Sequence, residues 1–135
     1  MTINYDELSK QVLDLDSQVR FAGVYNTYNG EVYEKFQKGV SRLFDKDQTK
    51  KSMMQAYMRW KTRSSFSNVI GQAVYALTKY EKLSRITMSC GKNALLLVSI
   101  ENNFEYSNLL DEILKIREKF IDRESTNFER NPTLN

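Results

Sequence analysis

The stretch Ala73–Ile100 reads AVYALTKYEKLSRITMSCGKNALLLVSI, and it is the part of the sequence that decides the fold. Its pattern predicts three consecutive antiparallel strands joined by two short turns. Apolar residues dominate Val74–Tyr80, where Val, Tyr and Thr favour a strand. Apolar and polar residues then alternate along Leu83–Cys90, which is typical of a strand with one buried face. We expect the other segments to cover this sheet.

The last of these strands is the most apolar segment of the chain. Ala94–Ile100 reads ALLLVSI, which predicts a central strand covered on both faces. A buried helix has the same pattern, although so short a segment is unusual for a helix. Gly91 and Asn93 tolerate positive φ and predict the turn that precedes this strand.

A hairpin is predicted over Val19–Phe36, upstream of these strands. Its residues alternate between two faces, and the pair Asn29–Gly30 favours a two-residue type I′ turn. Gly23 lies inside the first strand, where glycine indicates a bulge or a close approach of another backbone segment.

Apolar residues at helical spacing predict three helices around the strands. The first covers residues 5–15 and the last covers residues 107–121. A long helix over residues 48–70 is expected between the two strand groups, with Asp47 as its N-cap. The polar run Thr62–Ser65 interrupts the apolar pattern of this helix and marks a kink or its end.

The sequence therefore predicts an α+β fold with the order α-β-β-α-β-β-β-α and a single five-stranded antiparallel sheet with helices packed on it. Residues 1–123 are expected to form this one domain. Residues 124–135, which are polar and contain the single proline, are expected to form a flexible C-terminal tail.

Composition excludes several classes of function. The 135 residues are 41% hydrophobic and 27% charged, typical of one soluble globular domain. There is no histidine, which excludes His-dependent triads and His-based metal sites. We expect no catalytic, cofactor or metal site. Cys90 is the single cysteine, so no internal disulfide can form. No apolar run has the length of a membrane span, and no signal peptide is evident, which predicts a cytoplasmic protein.

Positive charge is concentrated in the window Lys35–Arg63. The window holds nine basic and two acidic residues, a net charge of +7, whereas the remainder of the chain carries −4. Basic side chains within this window could bind phosphates, and aromatic side chains could stack on bases. This candidate nucleic-acid or partner surface, which we call the basic cluster, consists of Lys50, Lys51, Tyr57, Arg59, Trp60, Lys61 and Arg63. The competing interpretation, which we prefer, places Trp60 in the core and the basic residues on a solvated helix face.

Two segments, RFAGVYNTYNGEVYEKF and LSRITMSCGKNALLLVSI, resemble the pattern of the roadblock/longin group. The resemblance extends over about residues 5–121. Members of the roadblock/longin group are small cytoplasmic modules that dimerise and serve small GTPases. Their helices are layered on the sheet as in profilin. The resemblance implies a non-enzymatic, dimeric protein-interaction or regulatory module. The KTRSSFS segment is also similar to one in small uncharacterised archaeal proteins, which implies no mechanism.

Two other functions are kept as alternatives: a nucleic-acid-binding accessory that uses the 35–63 surface, and a sensor that holds a small ligand between sheet and helix. A homodimer is predicted because an open sheet has two edges with unpaired backbone groups. The candidate dimer edges carry Val32, Tyr33 and Phe36 on one side, and Val74 and Tyr75 on the other.

Overall fold

A computed structural model of the chain describes residues 3–102 and 107–129. The elements in chain order are α1 (Tyr5–Leu13), β1 (Val19–Asn26), β2 (Val32–Phe36), α2 (Lys46–Ser64), α3 (Ser67–Ile70), β3 (Ala76–Lys79), β4 (Ser84–Ser89), β5 (Ala94–Ile100) and α4 (Ser107–Glu129).

The strands form one antiparallel sheet in the order β2-β1-β5-β4-β3. This confirms the predicted fold class and element order, with the short α3 as an addition after α2. The apolar strand β5 lies at the centre of the sheet, and six of its seven residues are buried. The central, doubly covered strand predicted from ALLLVSI is confirmed.

Helices cover both faces of the sheet. On one face α2 lies over β1, where the rings of Tyr25 and Tyr57 are 6.2 Å apart. On the other face α1 packs on β1 and β2, and α4 lies beside α1. On this second face an ion pair of 3.2 Å between Lys35 and Asp6 joins the edge strand β2 to α1. The strand register then assigns each strand residue to one of these two layers.

The hairpin loop is longer than predicted. Tyr25 pairs with Val32, and residues 27–30 form a four-residue loop rather than a two-residue turn at Asn29–Gly30. Among the described residues, no residue other than glycine has positive φ, so Asn29 does not have the conformation that a type I′ turn requires. The Asn26 side chain instead accepts hydrogen bonds from the backbone amides of Tyr28 and Asn29. That side-chain bonding stabilises the longer loop.

The long helix begins earlier and ends earlier than predicted. Its N-cap is Asp45 rather than Asp47, because the Asp45 carboxylate accepts a 2.7 Å hydrogen bond from the Gln48 amide. The Gln48 side chain accepts a hydrogen bond from the Asp45 amide in return, which completes a capping box. Ser64 ends α2 within the predicted interruption, and α3 follows as a separate single turn.

Two further boundaries differ from the prediction. Strand β3 starts at Ala76, so the residues before it, Val74 and Tyr75, lie outside the ladder. Helix α4 runs to Glu129, so residues 124–129 of the expected tail are helical rather than a loose extension. Residues 130–135 lie outside the described residues, and their flexibility stays a prediction.

The bulge or close backbone approach predicted at Gly23 is not found there, because its close neighbours are side chains and the register of β1 with β5 shifts between Val19 and Phe21. A Cβ atom at Gly23 would lie 2.6 Å from Cζ of Phe21 and 3.0 Å from Cε of Met53. The Phe21 ring therefore lies across the strand and meets Phe36 in an edge-on arrangement at 5.1 Å. The absence of a side chain at Gly23 lets Met53 bring α2 onto the sheet.

Asp45→Ala should lower the free energy of unfolding by about 1 kcal/mol, because it removes the carboxylate of the capping box. Asp47→Ala is the matched control, since it removes only a favourable first-turn charge worth about 0.3–0.5 kcal/mol. Urea unfolding followed by circular dichroism measures both. Equal losses in the two variants would contradict the assignment of the cap.

Gly23→Ala should lower the free energy of unfolding by about 1–3 kcal/mol, because the new methyl group overlaps the Phe21 ring. In a Phe21→Leu background the same substitution should cost less, since the shorter side chain makes room for the methyl group. A double-mutant cycle of chemical denaturation measures the coupling, which we expect to exceed about 0.5 kcal/mol. Additive losses would show that the ring contact is not the cause.

Candidate functional site

The aromatic residues of the basic cluster do not form an exposed stacking surface. Trp60 is buried, with 7% of its surface exposed, and belongs to the hydrophobic core. Tyr57 is half-buried against Tyr25. The preferred interpretation of Trp60 as a core residue is confirmed.

The basic side chains of the cluster are exposed and lie on different flanks of α2. Lys51 and Arg59 face a large cavity on one flank. On the other flank Lys61 lines a smaller cavity, where its ammonium group lies 5.6 Å from the Tyr57 ring centroid. Lys50 lies beside Gly30 of the hairpin loop. A single continuous basic face along α2 does not form.

Two other cations of the window are engaged in local contacts. Lys35 pairs with Asp6 on the opposite face of the sheet. Arg42 pairs with Glu34 at 2.7 Å and lies over the Phe36 ring, 4.8 Å from its centroid. The hydrogen bond to Glu34 raises the pKa of Arg42 above its ordinary value. The cations of the +7 window are therefore distributed over several parts of the fold.

The first candidate dimer edge, β2, has its side chains covered. Val32, Tyr33 and Phe36 are all half-buried. The Tyr33 ring lies 5.5 Å from the Tyr5 ring of α1, and Phe36 packs on Phe21 and under Arg42. The Tyr33 hydroxyl donates to Glu31 at 2.8 Å, and this hydrogen bond raises the pKa of Tyr33. The structure therefore places β2 at an edge but leaves little apolar surface there.

The second candidate edge, β3, is far more exposed. Among the described residues, β3 pairs only with β4, so one side of its backbone is unpaired. Large apolar side chains are exposed along it and along the preceding α3, with exposed fractions between 39% and 85%. We name this set the edge patch: Phe66, Val69, Ile70, Val74, Tyr75 and Leu77.

Four of the six residues of the edge patch were not among the predicted dimer-edge residues: Phe66, Val69, Ile70 and Leu77. Phe66, Val69 and Ile70 were expected to continue the buried stripe of a long helix. The signal that could have identified them is the polar run Thr62–Ser65 followed by Gly71, which leaves space for only one helical turn. A single turn is too short to carry a buried stripe of its own.

The described residues contain neither a metal-binding cluster nor a membrane-spanning helix. In residues 3–102 and 107–129, no group of three or more His, Cys, Asp or Glu side chains could hold a metal ion. Within the same ranges, no helix is long and apolar enough to cross a membrane.

No protein-family model matches this sequence, and no curated protein matches it significantly. Solved structures do match its fold. MglB of Myxococcus xanthus is 11% identical, with a TM-score of 0.70 over 90% of this chain and 95% of that one. The Roadblock/LC7 domain of Streptomyces avermitilis is also 11% identical, with a TM-score of 0.65 over 89% of this chain and 97% of that one.

A third match, MglC of Myxococcus xanthus, is 13% identical and has a TM-score of 0.52 over 85% of this chain and 98% of that one. Another matching structure is an MglB with a tetrameric arrangement. At these identities the matches concern the fold, and they agree with the element order and single sheet described above. The chain has the roadblock/LC7 fold.

Proposed function

From the roadblock/LC7 fold, we propose that this chain is a non-enzymatic regulatory module that forms a homodimer and serves as a platform for a protein partner. The observation that carries the proposal is the edge patch beside the unpaired β3 strand. Single apolar residues are common on protein surfaces, but six large ones within twelve residues, next to an open strand edge, are typical of an interaction site.

Backbone geometry supports pairing through β3. The Tyr80 amide donates to the Leu83 carbonyl at 2.8 Å, so Tyr80 bonds inward, toward β4. In an antiparallel ladder alternate residues bond to opposite sides, so Leu77 and Lys79 direct their backbone groups outward. A second copy of β3 could pair there around a two-fold axis, which would extend the sheet to ten strands. Lys79 is then the single lysine of β3 that opposes pairing.

The partner class follows from the resemblance rather than from a pocket. Roadblock-type modules serve small GTPases, and we propose a small GTPase as the partner of the dimer, in the cytoplasm. The tetrameric arrangement described for one MglB is a property of that protein, and it supports self-association as a use of this fold. The scatter of basic side chains around α2 favours this platform over the nucleic-acid-binding accessory.

The dimer proposal predicts that the purified chain has twice its single-chain mass of 15.9 kDa at micromolar concentration. The double substitution Val74→Glu and Tyr75→Glu should weaken dimerisation at least about tenfold, because it places carboxylates in the edge patch immediately before β3. Tyr28→Glu is the matched control, since Tyr28 is 84% exposed and lies on the hairpin loop. Sedimentation equilibrium measures all three proteins.

A wild-type mass that stays at 15.9 kDa as concentration rises would exclude the homodimer. A dimer that survives the double substitution but dissociates in Val32→Glu would move the interface to β2.

The platform proposal predicts that the wild-type chain binds a purified small GTPase and that the Val74→Glu, Tyr75→Glu variant binds it at least about tenfold more weakly, because two copies form the docking surface. Biolayer interferometry with GDP-loaded and GTP-analogue-loaded GTPases from the same genome measures this. Tyr28→Glu should bind like the wild type. Equal binding by the monomeric variant would contradict a dimeric platform.

A further inference from the structure

A cavity of about 650 Å³ lies between one flank of α2 and the sheet. Its walls come from α2, the β2–α2 connection and the β3–β4 turn, and strands β1, β4 and β5 form its floor. The volume falls within the roughly 300–1,000 Å³ of small-molecule sites in proteins. None of the six residues of the edge patch lines it, so the cavity is separate from the proposed dimer interface.

The polar lining of the cavity is entirely positive or neutral. Among the described residues that line it there is no Asp or Glu. Arg20 is neutralised from outside by Glu101 at 2.7 Å. The other cations form no ion pair with a described carboxylate. The five lining cations are Arg20, Lys51, Arg59, Lys82 and Arg85.

Arg85 is the cation that the fold holds most firmly in the cavity. It lies on β4, half-buried beneath α2, and its Nη1 donates to Ser52 Oγ at 2.9 Å. Burial lowers the pKa of Arg85, the Tyr80 hydroxyl partly opposes this, and the nearby charge of Arg59 lowers it further. A partly desolvated guanidinium whose partners are neutral hydroxyls is stabilised by an anion.

Apolar side chains also line the cavity. Two of these side chains, Leu43 and Phe44, remain 59% and 46% exposed. An occupant with an apolar body would cover them. A bare inorganic anion would satisfy the cations and leave this surface in water. The seven apolar lining residues are Phe21, Phe36, Val40, Leu43, Phe44, Met53 and Leu83.

We propose that this cavity binds an organic anion, with a carboxylate or phosphate group held by Arg85 and Arg59 and an apolar body held against Leu43 and Phe44. The fit rests on size, on uncompensated positive charge without any lining carboxylate, and on apolar surface next to that charge. Arg85 supplies a planar set of donors that matches either anionic group. The proposal gives the chain a ligand site in addition to its proposed interaction surface.

The probe for this site is 8-anilinonaphthalene-1-sulfonate, whose sulfonate stands for the anionic group and whose rings stand for the apolar body. Its neutral counterpart, N-phenyl-1-naphthylamine, has the same rings and no charge. Fluorescence titration of the full chain should show saturable binding of one sulfonate probe per chain. The neutral probe should bind about tenfold more weakly, because charge-assisted hydrogen bonds are missing.

Two substitutions test which cations are responsible. Arg85→Gln and Arg59→Gln should each weaken binding of the sulfonate probe by about tenfold and change binding of the neutral probe less than about twofold. Arg63→Gln, the same change on α2 at a residue that does not line the cavity, should leave both affinities unchanged. Because Arg59 is exposed, we expect Arg59→Gln to fold even if Arg85→Gln does not. Circular dichroism shows whether each variant is folded.

Displacement identifies the anionic group. Release of the bound probe by 1-naphthoate or by 1-naphthyl phosphate, with no release by 1-naphthol, supports the proposal and assigns the preferred head group. Equal release by 1-naphthol would show that binding does not depend on the negative charge of the ligand. Unchanged affinity in both Arg59→Gln and Arg85→Gln would overturn the proposal, and loss of probe binding in Val74→Glu, Tyr75→Glu alone would place the probe on the edge patch instead.

Discussion

Burial of β5 on both faces is the constraint on which the rest of the structure depends. Leu95 and Leu97 point toward α2, while Leu96 and Val98 point toward α1 and α4. Each fully buried side chain of this size contributes about 1.5–3 kcal/mol, so neither face can be left open. Helices on both faces are the simplest way to cover such a strand, and the chain supplies them before, between and after its strands. A strand that is buried on one face only would need helices on that face alone.

A central β5 also determines which strands become edges. With β1 on one side and β4 on the other, β2 and β3 are the outermost strands. Helix α1 and Arg42 cover the faces of β2, whereas β3 follows a single-turn helix that covers little. The difference between the edges therefore arises from the segments that pack on each strand. The apolar surface at β3 stays exposed because the helices of the chain do not cover it.

Local patterns predicted the strands and the element order because strand alternation and helical spacing are properties of short segments. Features that depend on register or on competing local bonds were predicted less well. The Asn29–Gly30 turn was displaced because Asn26 bonds the loop amides, and the Asp45–Gln48 capping box outcompeted Asp47. The alternation along Leu83–Cys90 assigns Arg85 to the polar face of its strand, but only the tertiary structure reveals that this face lies under α2.

The same distinction separates charge that is counted along the sequence from charge that the fold groups in space. The +7 window contains Lys35, which lies on the far face of the sheet, and omits Arg85, which lies beneath α2. The cations that do converge come from β1, α2, the β3–β4 turn and β4, segments separated by up to 65 positions, from Arg20 to Arg85. Their repulsion lowers stability only slightly while solvent screens the exposed members. Since a fold of this size could have placed carboxylates among them and did not, the grouping is more informative about a ligand than the net charge of any continuous segment.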